Sequence, residues 1–171
     1  LGGDTKKQQF LRLSIVEQKK YKDIAQELNV EEKQLSRWWE ESKPKREEIN
    51  KIKQLWTRKK YFKVSFPEFY DWYIDLDKKC YYCGITEENI KKLIDNKLIG
   101  TKRLSTRGRS LELEREKPEE PYDNTDNLVL CCYWCNNAKS DEFSEEEFKE
   151  IGKVIGKIWQ TRLQRIRPGK S

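Results

Sequence analysis

The chain has 171 residues, 39% of them charged, a formal net charge of +6 and a mean hydropathy of −1.04. That length allows one compact domain or two small ones, and the low apolar content leaves little material for a large core, so a metal staple would be useful. No apolar run reaches membrane-spanning length and the opening LGGDTKKQQ lacks the apolar stretch of a secretory signal, so a soluble, intracellular, cytoplasmic protein is expected.

The N-terminal part reads as helical. KKQQFLRLSIVEQKK sets Phe10, Leu13 and Val16 on one face, and in the next stretch Ile24, Ala25 and Leu28 recur at helical spacing. A polar break at Asn29 precedes another helical run with Leu35 and Trp38 or Trp39. Two short helices around a tight turn, with a small Ala25 in the first, match a helix-turn-helix. In that arrangement Lys33, Gln34, Ser36 and Arg37 are the exposed candidates for bases or phosphates of DNA. A plain three-helix bundle used for packing or protein contacts explains the same pattern.

Pro44 marks a boundary. PKREEINKIKQLWTRKKYF then reads as a helix with Ile49, Ile52 and Trp56 inward and a basic outer face. In SFPEFYDWYIDL, Ser65 suits a cap and Pro67 a first turn, while Phe66, Phe69, Trp72 and Tyr73 supply core bulk. Charge is unevenly spread: Lys43 to Lys63 carries nine Lys or Arg against two Glu, and the chain from Lys153 onward has six and no acid. Basic runs of this kind suit a polyanion, although a solvated helix face is their commoner fate.

Five cysteines form two knuckles, Cys80-x2-Cys83 and Cys132-x2-Cys135, with Cys131 left over as a small buried thiol. An odd count in paired C-x-x-C spacing argues against a disulfide framework and for tetrahedral zinc, with reduced or redox-active thiols as the alternative. A short helix follows the first knuckle, capped by Thr86. SLELERE alternates as a strand, with Leu111 and Leu113 on one face and Glu112, Glu114 and Glu116 on the other. NLVLCC is a second strand. The last helix opens on a capping box, Ser144 to Glu147, and continues with an apolar stripe at Phe148, Ile151, Ile155, Ile158 or Trp159, and Leu163.

The order C-x2-C, LELER and DNLVLCCYWCNNAKSD resembles the HNH (ββα-metal) nuclease superfamily, over roughly Cys80 to Phe148. More closely it resembles a histidine-less bacterial or phage branch with Glu-Arg in place of Asp-His. The resemblance does not reach the N-terminal helices; it implies a nuclease domain with a four-cysteine zinc site and a C-terminal helix over 79–171. With the helix-turn-helix DNA-binding segment read over 1–43 and the basic and aromatic connecting helices over 44–78, the expected fold is α+β, mainly helical. Mapped by motif, Glu114 stands at the acidic metal position, Arg115 at the position of the base, Asn127 at the second-strand asparagine and Asn136 at the start of the helix. Mg²⁺ or Mn²⁺ would then lie between Glu114 and Asn136, with the zinc as scaffold on Cys80, Cys83, Cys132 and Cys135.

Each of these residues has a plainer reading. Glu114 could be one of three solvated strand glutamates, Asn136 a cap, Asn127 a turn lock, and Lys139 a solvated lysine rather than a phosphate contact. Glu112 shares the strand parity of Glu114 and could be a second ligand or a base. Arg115 cannot be a general base at neutral pH, but it can clamp the scissile phosphate. The proton of the attacking water must go to a hydroxide on the metal, to Glu112 or Glu116, to Tyr122, or to a substrate phosphate oxygen. The expected activity is metal-dependent cleavage of double-stranded DNA, of restriction, homing or mobile-element type; the alternative is a catalytically degenerate, zinc-stabilised DNA-binding or structural protein. A homodimer and a protein partner are both compatible with this, with no decisive dimer signal.

Overall fold

The computed structural model describes residues 2–58, 63–100, 107–121 and 123–166. The chain divides into two compact units, Leu1–Leu76 and Asp77–Ser171. In the first, helix α1 (Gly2–Leu11) runs into a π-helical turn at Arg12–Val16. The wider turn brings Leu13, Ile15 and Val16 to the interior beside Phe10 and Leu11, more than one stripe of an α-helix holds. Gln18, at φ 55°, follows the turn.

Helix α2 (Tyr21–Leu28) buries Ile24, Ala25 and Leu28 and ends at Asn29 in the left-handed region. Asparagine tolerates that conformation, and the N–H groups of Asn29 and Val30 close onto the carbonyls of Ala25 and Gln26. Helix α3 (Glu32–Glu41) begins three residues later and buries Leu35 and Trp38, with Trp39 only half-buried. Helix α4 (Lys43–Thr57) starts with Pro44 in its first turn, where a missing N–H costs nothing, and buries Ile49 and Ile52. Trp56 stays half-buried and its indole N–H donates to the carbonyl of Val64 at 2.9 Å. Helix α5 (Phe66–Asp75) opens on a reciprocal capping box between Ser65 and Glu68; Phe66 and Phe69 are buried, Trp72 and Tyr73 half-buried. The Arg12 guanidinium forks onto Asp71 and ties the π-helical turn to α5.

The second unit begins with the Cys80–Cys83 knuckle and helix α6 (Glu87–Asp95), whose first turn is capped by the Thr86 hydroxyl. Strands β1 (Glu112–Arg115) and β2 (Leu128–Cys131) pair antiparallel, with Glu112 opposite Cys131 and Glu114 opposite Val129. All four residues of β2 are buried. Cys132 caps helix α7 (Tyr133–Lys139), which packs on β1, and helix α8 (Glu145–Gln164) starts at the Ser144–Glu147 capping box.

The buried face of α8 differs from the expected stripe. Phe148, Gly152, Gly156 and Trp159 face inward, whereas Ile151 and Ile158 are exposed and Ile155 and Leu163 only half-buried. The cause is proximity to backbone. A Cβ on Gly152 would lie 2.6 Å from the carbonyl oxygen of Tyr82, and one on Gly156 would lie 2.6 Å from that of Cys83. The helix therefore seats its glycine ridge on the first knuckle, where side chains as large as isoleucine have no room.

Candidate functional site

The four sulfurs of Cys80, Cys83, Cys132 and Cys135 lie within 4.8 Å of one another, and Cys83 Sγ is 3.7 Å from Cys132 Sγ. Sulfurs bound about 2.3 Å from one tetrahedral ion stand roughly 3.8 Å apart, so this cluster fits zinc. The first knuckle closes on itself through Cys80 N–H to Ile85 O and Gly84 N–H to Cys80 O, with Gly84 at φ 72°. The N–H of Tyr81 donates to Leu130 O and ties the knuckle to β2; the second knuckle is the first turn of α7.

Electrostatics make the same point. The neighbouring thiols, Cys131 first and then Cys132, Cys135 and Cys83, draw Cys80 strongly towards thiolate. Cys132 is pushed far up, first by Cys135 and then by Cys80, because further negative charge would sit beside the first. A divalent cation removes that conflict and lets all four ionise. Cys131 is buried and its thiol donates to Cys132 O, outside the four-sulfur cluster.

The second cluster lies where β1 meets α7. Asn136 follows Cys135 directly and its backbone N–H is held by Cys132 O, so the knuckle fixes its position. Its side-chain amide donates to Glu112 Oε2 at 2.8 Å. Of the two same-face glutamates, Glu112 is therefore the one whose carboxylate receives Asn136. Arg107 adds a fork, with Nε 2.9 Å from Glu112 Oε1, and stacks 5.1 Å from the centre of the Tyr133 ring. The adjacent carboxylate holds the Arg107 guanidinium still further towards its charged form.

Glu114 is 7% exposed and its Oε1 accepts the backbone N–H of Arg115 at 2.9 Å, so it is not a solvated strand glutamate. Arg115 extends to Asp141 Oδ1 at 2.9 Å and to the carbonyl of Glu120. Lys139 corrects both readings made of it. It is fully buried, and its ammonium donates to Arg115 O at 3.3 Å, so it neither reaches outward for a phosphate nor lies on a solvated face. The short α7 turns this residue onto β1. Asn127, also buried, uses both ends of its amide on the backbone of Lys117, at 2.7 and 3.0 Å, and so locks the loop between the strands.

Beyond β1, Glu116 meets Glu145 and Tyr81. The Tyr81 hydroxyl donates to Glu145 at 2.6 Å, and Lys149 pairs with Glu145. Burial first, then Glu145, raises Glu116 above the ordinary carboxylate range. Against its own burial, Glu145 is drawn down to about 2 by Glu116, Lys149 and Tyr81. Tyr122 lies outside the described residues.

In the first unit, Lys33, Ser36 and Arg37 are exposed on the side of α3 away from Leu35 and Trp38, and Gln34 is half-buried. Arg107 is the site residue that sequence reasoning missed. Its one local signal is its place five residues before Glu112, on a segment that reads as loop.

No family model matches the sequence, and no curated protein does either. Among the described residues no helix is long and apolar enough to cross a membrane. The fold is α+β, mainly helical, with one small two-stranded sheet among the described residues. It is similar to the solved structure of the rare-cutting HNH restriction endonuclease PacI, at 27% identity and a TM-score of 0.51, over 64% of this chain and 79% of that one.

Proposed function

We propose that the chain is a divalent-metal-dependent endonuclease that hydrolyses phosphodiester bonds of double-stranded DNA. The likeness to an HNH restriction endonuclease supports a nuclease at the level of the family. One observation carries the reading to this chain's own residues: Asn136, held by the zinc knuckle, meets the carboxylate of Glu112 at the junction of β1 and α7. An asparagine that donates to a carboxylate through nitrogen can offer its oxygen to a cation from the same place.

Glu112 and Asn136, with Glu114 next along the strand face, form a set of hard oxygen donors suited to Mg²⁺ or Mn²⁺. Such an ion supplies charge stabilisation at the scissile phosphate and leaving oxygen. Arg115, and Arg107 when released from Glu112, are the side chains to clamp that phosphate. The four cysteines hold zinc as scaffold only, because four thiolates leave no open position. Lys33, Gln34, Ser36 and Arg37 on α3 would contact the duplex, and Asn127 and Lys139 act by fixing the two ends of the site.

A second reading is favoured by the way Arg107 and Asn136 already satisfy Glu112, as an internal ion pair would. In that reading the chain is a zinc-stabilised DNA-binding protein without catalysis. Plasmid cleavage in Mg²⁺ or Mn²⁺ separates the two. Wild type should nick or cut, and Glu112→Ala and Glu114→Ala should each lose activity by about 100-fold or more while still binding DNA. If wild type and both variants bind equally and none cuts any tested DNA, the enzyme reading should be dropped. The chain has no histidine, so the pH–rate profile should show no step near pH 6.5 and should climb towards alkaline pH. A step that persists near pH 6.5 in Glu116→Gln would count against this account.

A further inference from the structure

Among the described residues, three of the five large exposed hydrophobic side chains lie on one helix: Ile151, Val154 and Ile158 of α8, at 36%, 57% and 43% exposure. With half-buried Ile155 they occupy positions i, i+3, i+4 and i+7, the spacing of a helix–helix seam rather than of scattered surface residues. This stripe is separate from the buried face of Phe148, Gly152, Gly156 and Trp159, so the second unit does not use it for its own core. The glycine ridge explains why it is left outside.

The charges that border this stripe are graded: Glu147 and Glu150 stand at its start, Lys157 and Arg162 at its end. Lys149 and Lys153 lie towards the other side of the helix, where they pair with Glu145 and Glu150. A parallel copy would set acid beside acid and base beside base. An antiparallel copy centred between Val154 and Ile155 sets Ile151 of one helix against Ile158 of the other, Val154 against Ile155, Glu147 against Arg162, and Glu150 close to Lys157. The stripe and its bordering charges are thus complementary to themselves in that one orientation, as a two-fold interface requires.

From this we infer that the Ile151–Val154–Ile155–Ile158 face of α8 is a homodimer interface, occupied by the same face of a second copy running antiparallel. The inference does not depend on the nuclease reading. A single helix pair buries less than the standard interface of roughly 1,600 Å², so the dimer is a weak one, with Kd on the order of 10 μM.

Sedimentation equilibrium of the full chain over a range of concentrations tests it. Wild type should move from one copy to two as concentration rises. Val154→Glu, which sets two carboxylates near the two-fold axis, should stay a single copy. Glu150→Lys should weaken association about tenfold by facing Lys157, and adding Lys157→Glu should restore it. In a parallel pair, Glu150→Lys alone would change little.

Melting curves of the same variants guard against unfolding. Because Val154, Glu150 and Lys157 all face solvent, their midpoints should match wild type at low concentration. If Val154→Glu melts early, the charge-swap pair alone decides. A wild type that remains a single copy up to its solubility limit overturns the inference. So does a dimer indifferent to both Val154→Glu and Glu150→Lys, whether a different face or another covering of α8 is the cause.

Discussion

Lys139 fills volume with its stem and holds a donor against Arg115 O with its ammonium, and the two roles can be separated. Lys139→Ala empties the stem's space and should cost about 2–4 kcal/mol of unfolding free energy. Lys139→Met keeps most of that volume and should cost less than about 1.5 kcal/mol. Urea denaturation of the two variants gives the comparison; equal losses would mean that the ammonium, not the stem, matters.

Asp71 is the clearest pH-linked residue in the first unit. The Arg12 fork holds its carboxyl below the ordinary value of 3.8. Its contribution is therefore present above the unfolded-chain value and is lost as pH falls through the lower folded value. Both side chains are well exposed, so the contribution at neutral pH stays under about 1 kcal/mol. Asp71→Asn should lower neutral-pH stability by no more than that, and should flatten the part of the acid limb between the two values. An acid limb unchanged in the variant would remove Asp71 from the account.

Residues whose signal sits among close neighbours could be read from sequence: the C-x-x-C pairs, Asn29 at the turn, and Ser65, Thr86 and Ser144 as caps. The contact between Asn136 and Glu112 joins positions 24 apart and needs the fold to be seen. Arg107 and the burial of Lys139 are of the same kind, because nothing adjacent in the chain signals them.

At the scale of elements, both strands and the helices other than α7 follow from local pattern; α7 is implied only by the resemblance, and the face that α8 buries is not legible at all. Hydrophobic pattern favours the isoleucines, and only the backbone of the knuckle makes glycine the better inward residue. Gly152→Ala and Gly156→Ala test this directly. In a free helix each would stabilise by about 1 kcal/mol. Here the new Cβ meets a backbone carbonyl at 2.6 Å, so each should instead destabilise by about 1–3 kcal/mol in thermal melts. A raised melting temperature for either would mean that the helix rides further from the knuckle than described. The π-helical turn at Arg12–Val16 was equally hidden, since the same residues read as continuous α-helix.

For the whole molecule, the two units rest on different foundations. Leu1–Leu76 has an aromatic and aliphatic core of its own, around Phe10, Leu35 and Phe69, with no part in the cysteine cluster. In Asp77–Ser171 the knuckles anchor β2, α7 and α8 together. Removing zinc with a chelator, or replacing Cys132 with Ser, should unfold the second unit with loss of about one zinc per chain. The helical signal of the first unit should persist. Calorimetry should then resolve a surviving transition; complete and simultaneous loss would show that the units depend on each other.

The indole of Trp134, between Cys132 and Cys135 in the second knuckle, lies 5.5 Å from that of Trp159, at 66° to it. The first ring moves with the metal ligands and the second with the helix that rests on the opposite knuckle. Their mutual distance is thus a gauge of whether the two halves of the four-cysteine cluster are closed on each other. With zinc bound there, the pair would serve as an optical reporter of metal occupancy. A change in tryptophan emission on chelation, absent in Trp134→Phe, would let zinc loss be timed separately from the melting of the chain.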